Sequence, residues 1–218
     1  MKQLYLLLAR NQKIIKKLFV LTYLILIAIY FVGIWQYDNL NPIRGLYNNI
    51  GRKSGQISTV LLLITLLPGM LKRINILGKI ESILMLFRRQ FGVLSFFMAT
   101  THLGYMSWIR KVASGENPID SIFKYQEAGF VAMAIFFVLW ITSNDFSMDV
   151  LGKWWKYLQR TSYFAVIALI LHIFAAGSKL WMILLFFLVA EAFSWSILLI
   201  RNKNTAVPKK KTKRSKKK

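Results

Sequence analysis

Cysteine is absent from this 218-residue chain, and histidine occurs only twice, as His102 and His172. The first absence excludes disulfides, thiolate catalysis and cysteine-ligated iron–sulfur clusters. The second argues against zinc, which takes three or four protein ligands, because no third histidine or cysteine completes a set. Acid is scarce as well: 8 Asp and Glu face 30 Lys and Arg, for a formal net charge of +22. No stretch reads as a strand followed by a glycine-rich turn and a helix, so no flavin or nicotinamide domain is expected. The lone GLYNNIG, residues 45–51, lacks that context and reads as loop.

Apolar residues fill the space these absences leave. The chain is 56% hydrophobic, with 16 Phe, 9 Tyr and 7 Trp, and its mean hydropathy is +0.47. That composition fits a polytopic membrane protein rather than a soluble domain. Six apolar segments stand out at 18–35, 57–71, 91–109, 128–143, 161–177 and 180–200. About 20 helical residues cross a bilayer core, so the second and fourth must recruit flanking residues or rely on local thinning. Pro68 is expected to kink or stop the second. No small-residue cleavage site follows the first, which reads as a retained helix.

The expected fold is therefore an all-α, multi-pass protein of the cytoplasmic membrane. A basic cytoplasmic N-terminus (1–17) precedes a six-helix membrane domain (18–200) and a basic, disordered cytoplasmic tail (201–218). Orientation follows from Lys and Arg. With the N-terminus inside, one face collects Lys2 to Lys17, Lys72, Arg73, Lys79, Arg88, Arg89, Lys153, Lys156, Arg160 and the tail. The other holds only Arg44, Arg52, Lys53, Arg110, Lys111, Lys124 and Lys179. N-in and C-in is the expected topology. The lysine-rich tail has no interleaved aromatics and starts directly after a span. It reads as an anchor on anionic headgroups, and no nucleic-acid partner is expected.

Both histidines lie inside spans, where a polar side chain is costly. The third and fifth spans run in the same direction. At about 1.5 Å per residue, His102 and His172 both lie roughly 20 Å from the inner boundary. Small residues share their faces: Gly92, Ser95 and Ala99 with Arg88 on the third span, and Thr161, Ala165, Ala168 and Ala176 on the fifth. Such stripes commonly mean close helix packing, and a lone histidine can be a hydrogen-bonded core residue. Two at one depth on small-residue faces point instead to a shared flat ligand. A non-haem iron triad needs a carboxylate, and Glu191 is the only acid within a span. Haem brings its own four nitrogens and asks for one or two axial ligands, so bis-histidine haem fits the inventory best.

The chain resembles the ferric-reductase-like transmembrane domain family over roughly residues 40 to 200. It is most similar to the haem-binding membrane subunits of periplasmic methionine sulfoxide reductase systems. The resemblance is carried by NPIRGLYNNIGRKSGQ with LLLITLLPG, by FRRQFGVLSFFMATTH, and by TSNDFSMDVLGKWWKYLQRTSYFAVIALILH. It implies a six-helix haem b bundle passing electrons from the quinone pool toward an outer-face reductase partner. One departure matters. Where the family places a further helix 5 histidine this chain has Gln159, and where the wider group places a helix 3 histidine it has Arg88. The implied content is one outer haem b, ligated by His102 and His172.

Three further side chains are candidates. Arg88 and Arg89 read as topology anchors or as contacts to a haem propionate or quinol. Glu191 reads as a neutral acid hydrogen-bonded to Ser194 or another helix, or as the proton acceptor for quinol oxidation. Other functions remain in view: a non-redox transporter or scaffold with packing histidines, and a self-sufficient ferric or quinone reductase.

Overall fold

A computed structural model describes residues 2–37, 44–108 and 124–205. Every element among them is helical: α1 (Lys2–Arg10), α2 (Gln12–Tyr37), α3 (Arg44–Ile74), α4 (Gly78–Leu103) with a π-helical end (Gly104–Trp108), α5 (Lys124–Ile141), α6 (Asp145–Leu151), α7 (Lys153–Arg160), α8 (Ser162–Ala175) and α9 (Leu180–Thr205). Helices close their backbone hydrogen bonds internally, which an apolar chain in lipid requires.

Five spans meet the length and hydropathy of a membrane crossing: Gln12–Gly33, Asn49–Ile74, Gly78–Met106, Lys153–Ala175 and Leu180–Lys203. A sixth is added if α5 and α6, which meet at 93°, count as one broken span. The protein is thus a multi-pass membrane protein. The short second segment has recruited its neighbours, as expected of it.

Three expectations need correction. The first span begins at Gln12 rather than 18. GLYNNIG is not loop but the first turns of α3. Its Gly51 serves close packing instead of a turn: a Cβ there would lie 2.8 Å from the Met106 sulfur. Of the two outcomes expected at Pro68, a kink or a stop, the stop does not occur, since α3 runs on to Ile74 with the proline ring fully buried. Packed neighbours can re-satisfy a carbonyl freed by proline, so the break that water would favour does not occur. The expected end of the third span at 109 and the tail residues 206–218 lie outside the described residues.

The core joins α3, α4, α5, α8 and α9 through Leu62, Leu66, Phe96, Phe136, Val166 and Leu184. The most extensive contact is α3 on α4, and it is bolted by a reciprocal pair of serines. Ser58 Oγ donates to Ser95 O at 2.8 Å, and Ser95 Oγ donates to Ser58 O at 2.9 Å. The peripheral α2 leans on α4 through aromatic rings, with Phe19 edge-on to Phe91 at 5.7 Å and Tyr23 stacked on Phe97 at 5.2 Å. At the α5–α6 corner, Asn144 Oδ1 caps α6 by accepting the Ser147 N–H at 2.7 Å. Arg89 ties α4 to this corner, reaching Ser143 O at 2.5 Å and Asp145 Oδ1 at 2.6 Å.

Candidate functional site

His102 is the penultimate residue of the α-helical part of α4, separated by one residue from its π-helical turn, a distortion frequent at functional sites. His172 lies in the last turn of α8. The two helices are not principal packing partners; α4 rests on α3, α2 and α5, and α8 on α5 and α9. The imidazoles reach toward each other across the space between them, with ring centres 6.2 Å apart and planes 77° to one another.

A glycine on a neighbouring helix makes room for each ring. A Cβ on Gly55 of α3 would lie 2.7 Å from His102 Nδ1, and one on Gly129 of α5 would lie 2.9 Å from His172 Nδ1. His102 Nδ1 lies 2.7 Å from Gly51 O. A carbonyl can only accept, so Nδ1 carries the proton and Nε2 keeps its lone pair, the tautomer a metal-binding imidazole needs. The hydrogen bond of an ordinary core histidine is therefore present, yet it engages only Nδ1.

The residues fit a haem on two counts. An imidazole nitrogen lies about 2 Å from a bound metal and about 1.1 Å from its own ring centre, so two rings sharing one ion are about 6.2 Å apart. The observed separation matches. Both histidines also line one cavity of about 730 Å³, a volume suited to a cofactor. Its walls are largely apolar, with Phe136, Leu169 and Ile173, and Ala99 and Ala176 keep them low. Among the described residues, Arg52 of α3 is the only charged side chain in that lining. Among the described residues no cluster of three or more His, Asp or Glu could hold a metal ion. The iron triad through Glu191 therefore has no support.

The small-residue stripes divide between two tasks. Ala99 and Ala176 face the cavity. Ser95 is buried against α3, Gly92 faces Thr65 of α3, Ala165 belongs to the core and Ala168 is buried. For the halves of both helices farther from the histidines, close packing is the better account.

Of the remaining candidates, none lines the cavity. Arg89 serves the α5–α6 corner. Arg88 lies about 21 Å of helical rise below His102, half-buried near Glu191, Tyr163 and Arg73. Gln159 sits in α7 with its Nε2 buried and unpartnered. Glu191 is buried in the polar company its depth demands. It is ion-paired with Arg73 of α3 and accepts from Tyr163 of α8, while Arg73 Nε also reaches Ser194 Oγ at 2.9 Å. The Ser194 hydroxyl donates to the Glu191 carbonyl at 2.7 Å, so that expected neighbour is present.

Sequence reasoning missed Gly51, Gly55, Arg52, Gly129, Arg73 and Tyr163. A signal existed for Gly55 and Gly129, each a glycine at or just before the N-terminal end of an apolar segment. Arg73 gave none, since it lies beside Lys72 in what reads as an ordinary cytoplasmic anchor.

The family described as ferric reductase like transmembrane component matches residues 54–170. Curated relatives include the protein-methionine-sulfoxide reductase heme-binding subunit MsrQ of Bordetella parapertussis and those of Bordetella bronchiseptica and Bordetella pertussis. Each is 32% identical over 127 residues, covering 56% of this chain and 58% of the relative. The chain thus spans little more than half the length of the curated relatives it matches. No solved structure matches it.

Proposed function

The chain belongs to the ferric reductase like transmembrane component family, and from that premise we propose that it is a haem b electron-transfer subunit of the cell membrane. One observation carries the reading: the two histidines, 6.2 Å apart, share one cavity. His102 and His172 would hold the iron, with Gly51 O orienting the first ring. Haem, when bound there, supplies a one-electron centre inside the membrane. Arg52, a charged side chain of the lining, would meet its carboxylates.

The content is one haem per chain. Where the family places inner ligands, this chain has Arg88 and Gln159, next to side chains already engaged in the Arg73–Glu191–Tyr163 network. Neither a guanidinium nor an amide is a haem ligand of the usual kind.

The chain lies N-in and C-in, takes electrons from quinol, and delivers them to an acceptor at the outer face. The names of the relatives support a methionine sulfoxide reductase as that partner. Glu191, joined to Tyr163, is the proton acceptor for quinol oxidation. Glu191→Gln should slow haem reduction by quinol and leave reduction by dithionite unchanged; equal quinol rates would reduce Glu191 to a structural role.

The test of the whole reading is the optical spectrum of the detergent-purified protein, oxidised and dithionite-reduced, with a pyridine haemochrome assay. One low-spin b-type haem per chain is expected. Absence of haem absorbance overturns the reading, and two haems per chain overturn the single-layer part of it.

A further inference from the structure

Among the described residues, two hydrogen-bond donors on the far side of the core from the histidine cavity have nothing to donate to. Gln159 Nε2 is buried without a partner. Arg88 is half-buried, and its guanidinium makes no hydrogen bond or ion pair with any described residue. A donor without an acceptor is unfavourable where water is excluded. The surrounding groups are satisfied: Arg73 and Tyr163 both hold Glu191, and Ser194 joins them. Arg88 lies within electrostatic reach of Tyr163, Glu191 and Arg73. Gln159 precedes Tyr163 by one helical turn within the span Lys153–Ala175. The unused donors thus border the network that contains a carboxylate and a phenol.

We propose that Arg88 and Gln159 form a binding site for the ring oxygen of a quinone head-group, with Tyr163 and Glu191 at its edge. This deepens the quinol reading above and rests on it. Two unsatisfied donors ask for an oxygen acceptor that can enter from an apolar phase, and a quinone carbonyl meets both conditions. A lipid phosphate would also accept from Arg88. The Glu191 carboxylate is already balanced by Arg73, so charge alone does not choose between the two. The carbonyl is favoured because it is neutral and enters from the apolar phase without carrying a charge into it. The aromatic ring of Trp195 completes the surroundings, with the Arg73 guanidinium 4.6 Å above it.

The test is titration of the full-length, detergent-purified protein with decylubiquinone, followed by quenching of tryptophan fluorescence. Gln159→Leu removes a donor without charge change, and its Kd should rise about fivefold or more, the loss of roughly one hydrogen bond. Arg88→Met should act at least as strongly; if that variant fails to insert, Gln159→Leu carries the test alone. The haem spectrum should be unaltered in Gln159→Leu. Unchanged quinone affinity in a monodisperse Gln159→Leu protein overturns the site. So does a variant that loses bound phospholipid phosphate while its quinone affinity stays the same. Missing haem in the unsubstituted protein would sink the proposed function instead, so the two failures are distinguishable.

Discussion

Each histidine is held by a different arrangement, and the consequences of substitution differ accordingly. His102→Ala or His172→Ala should each abolish the low-spin spectrum, because no other histidine is available to replace either ring. An unchanged spectrum in one variant would remove that residue from the site. The flanking glycines are as decisive as the ligands. Gly129→Ala would place a methyl 2.9 Å from His172 Nδ1 and 3.0 Å from Cε1. The ring must tilt, so haem occupancy should fall well below the unsubstituted level while the protein still reaches the membrane. Gly55→Ala should behave likewise, with the Cβ 2.7 Å from His102 Nδ1. Full haem loading of both glycine variants would show that the rings have slack.

Between elements, two ion pairs of opposite character join helices among the described residues. Arg89–Asp145 ties α4 to the α5–α6 corner, but the Asp145 side chain is 88% exposed. Asp145→Asn should therefore change stability by no more than about 1 kcal/mol in detergent unfolding. The α3–α9 pair is buried, with Arg73 and Glu191 side chains 12% and 4% exposed. Arg73→Gln leaves the Glu191 carboxylate uncompensated and should destabilise by about 3–5 kcal/mol. The double variant Arg73→Gln with Glu191→Gln should recover much of that loss, since no buried charge remains. A double variant as unstable as Arg73→Gln would mean that the hydrogen bonds of the network, rather than charge compensation, hold α3 to α9.

For the whole molecule the open question is orientation, and the lack of cysteine makes it tractable. A single Lys179→Cys, on the exposed turn before α9, should be labelled by an impermeant thiol reagent in intact cells. Lys156→Cys, exposed on α7, should be labelled only after permeabilisation. The reverse pattern would invert the bundle and place the histidine cavity nearer the cytoplasm.

Most of this bundle was legible in one dimension because lipid imposes a simple rule: a crossing needs a long apolar helix, and each such helix leaves its mark in composition. The positions of α2, α4, α8 and α9 follow from that rule. So does the shared depth of His102 and His172, since rise per residue is constant along a helix. What composition cannot carry is which faces meet. The helical state of GLYNNIG, the unbroken path through Pro68 and the pairing of Arg73 with Glu191 all depend on neighbours distant in sequence. The same holds for the histidine site. Local spacing placed two imidazoles at one level, but only packing against Gly55 and Gly129 set them 6.2 Å apart over a common cavity.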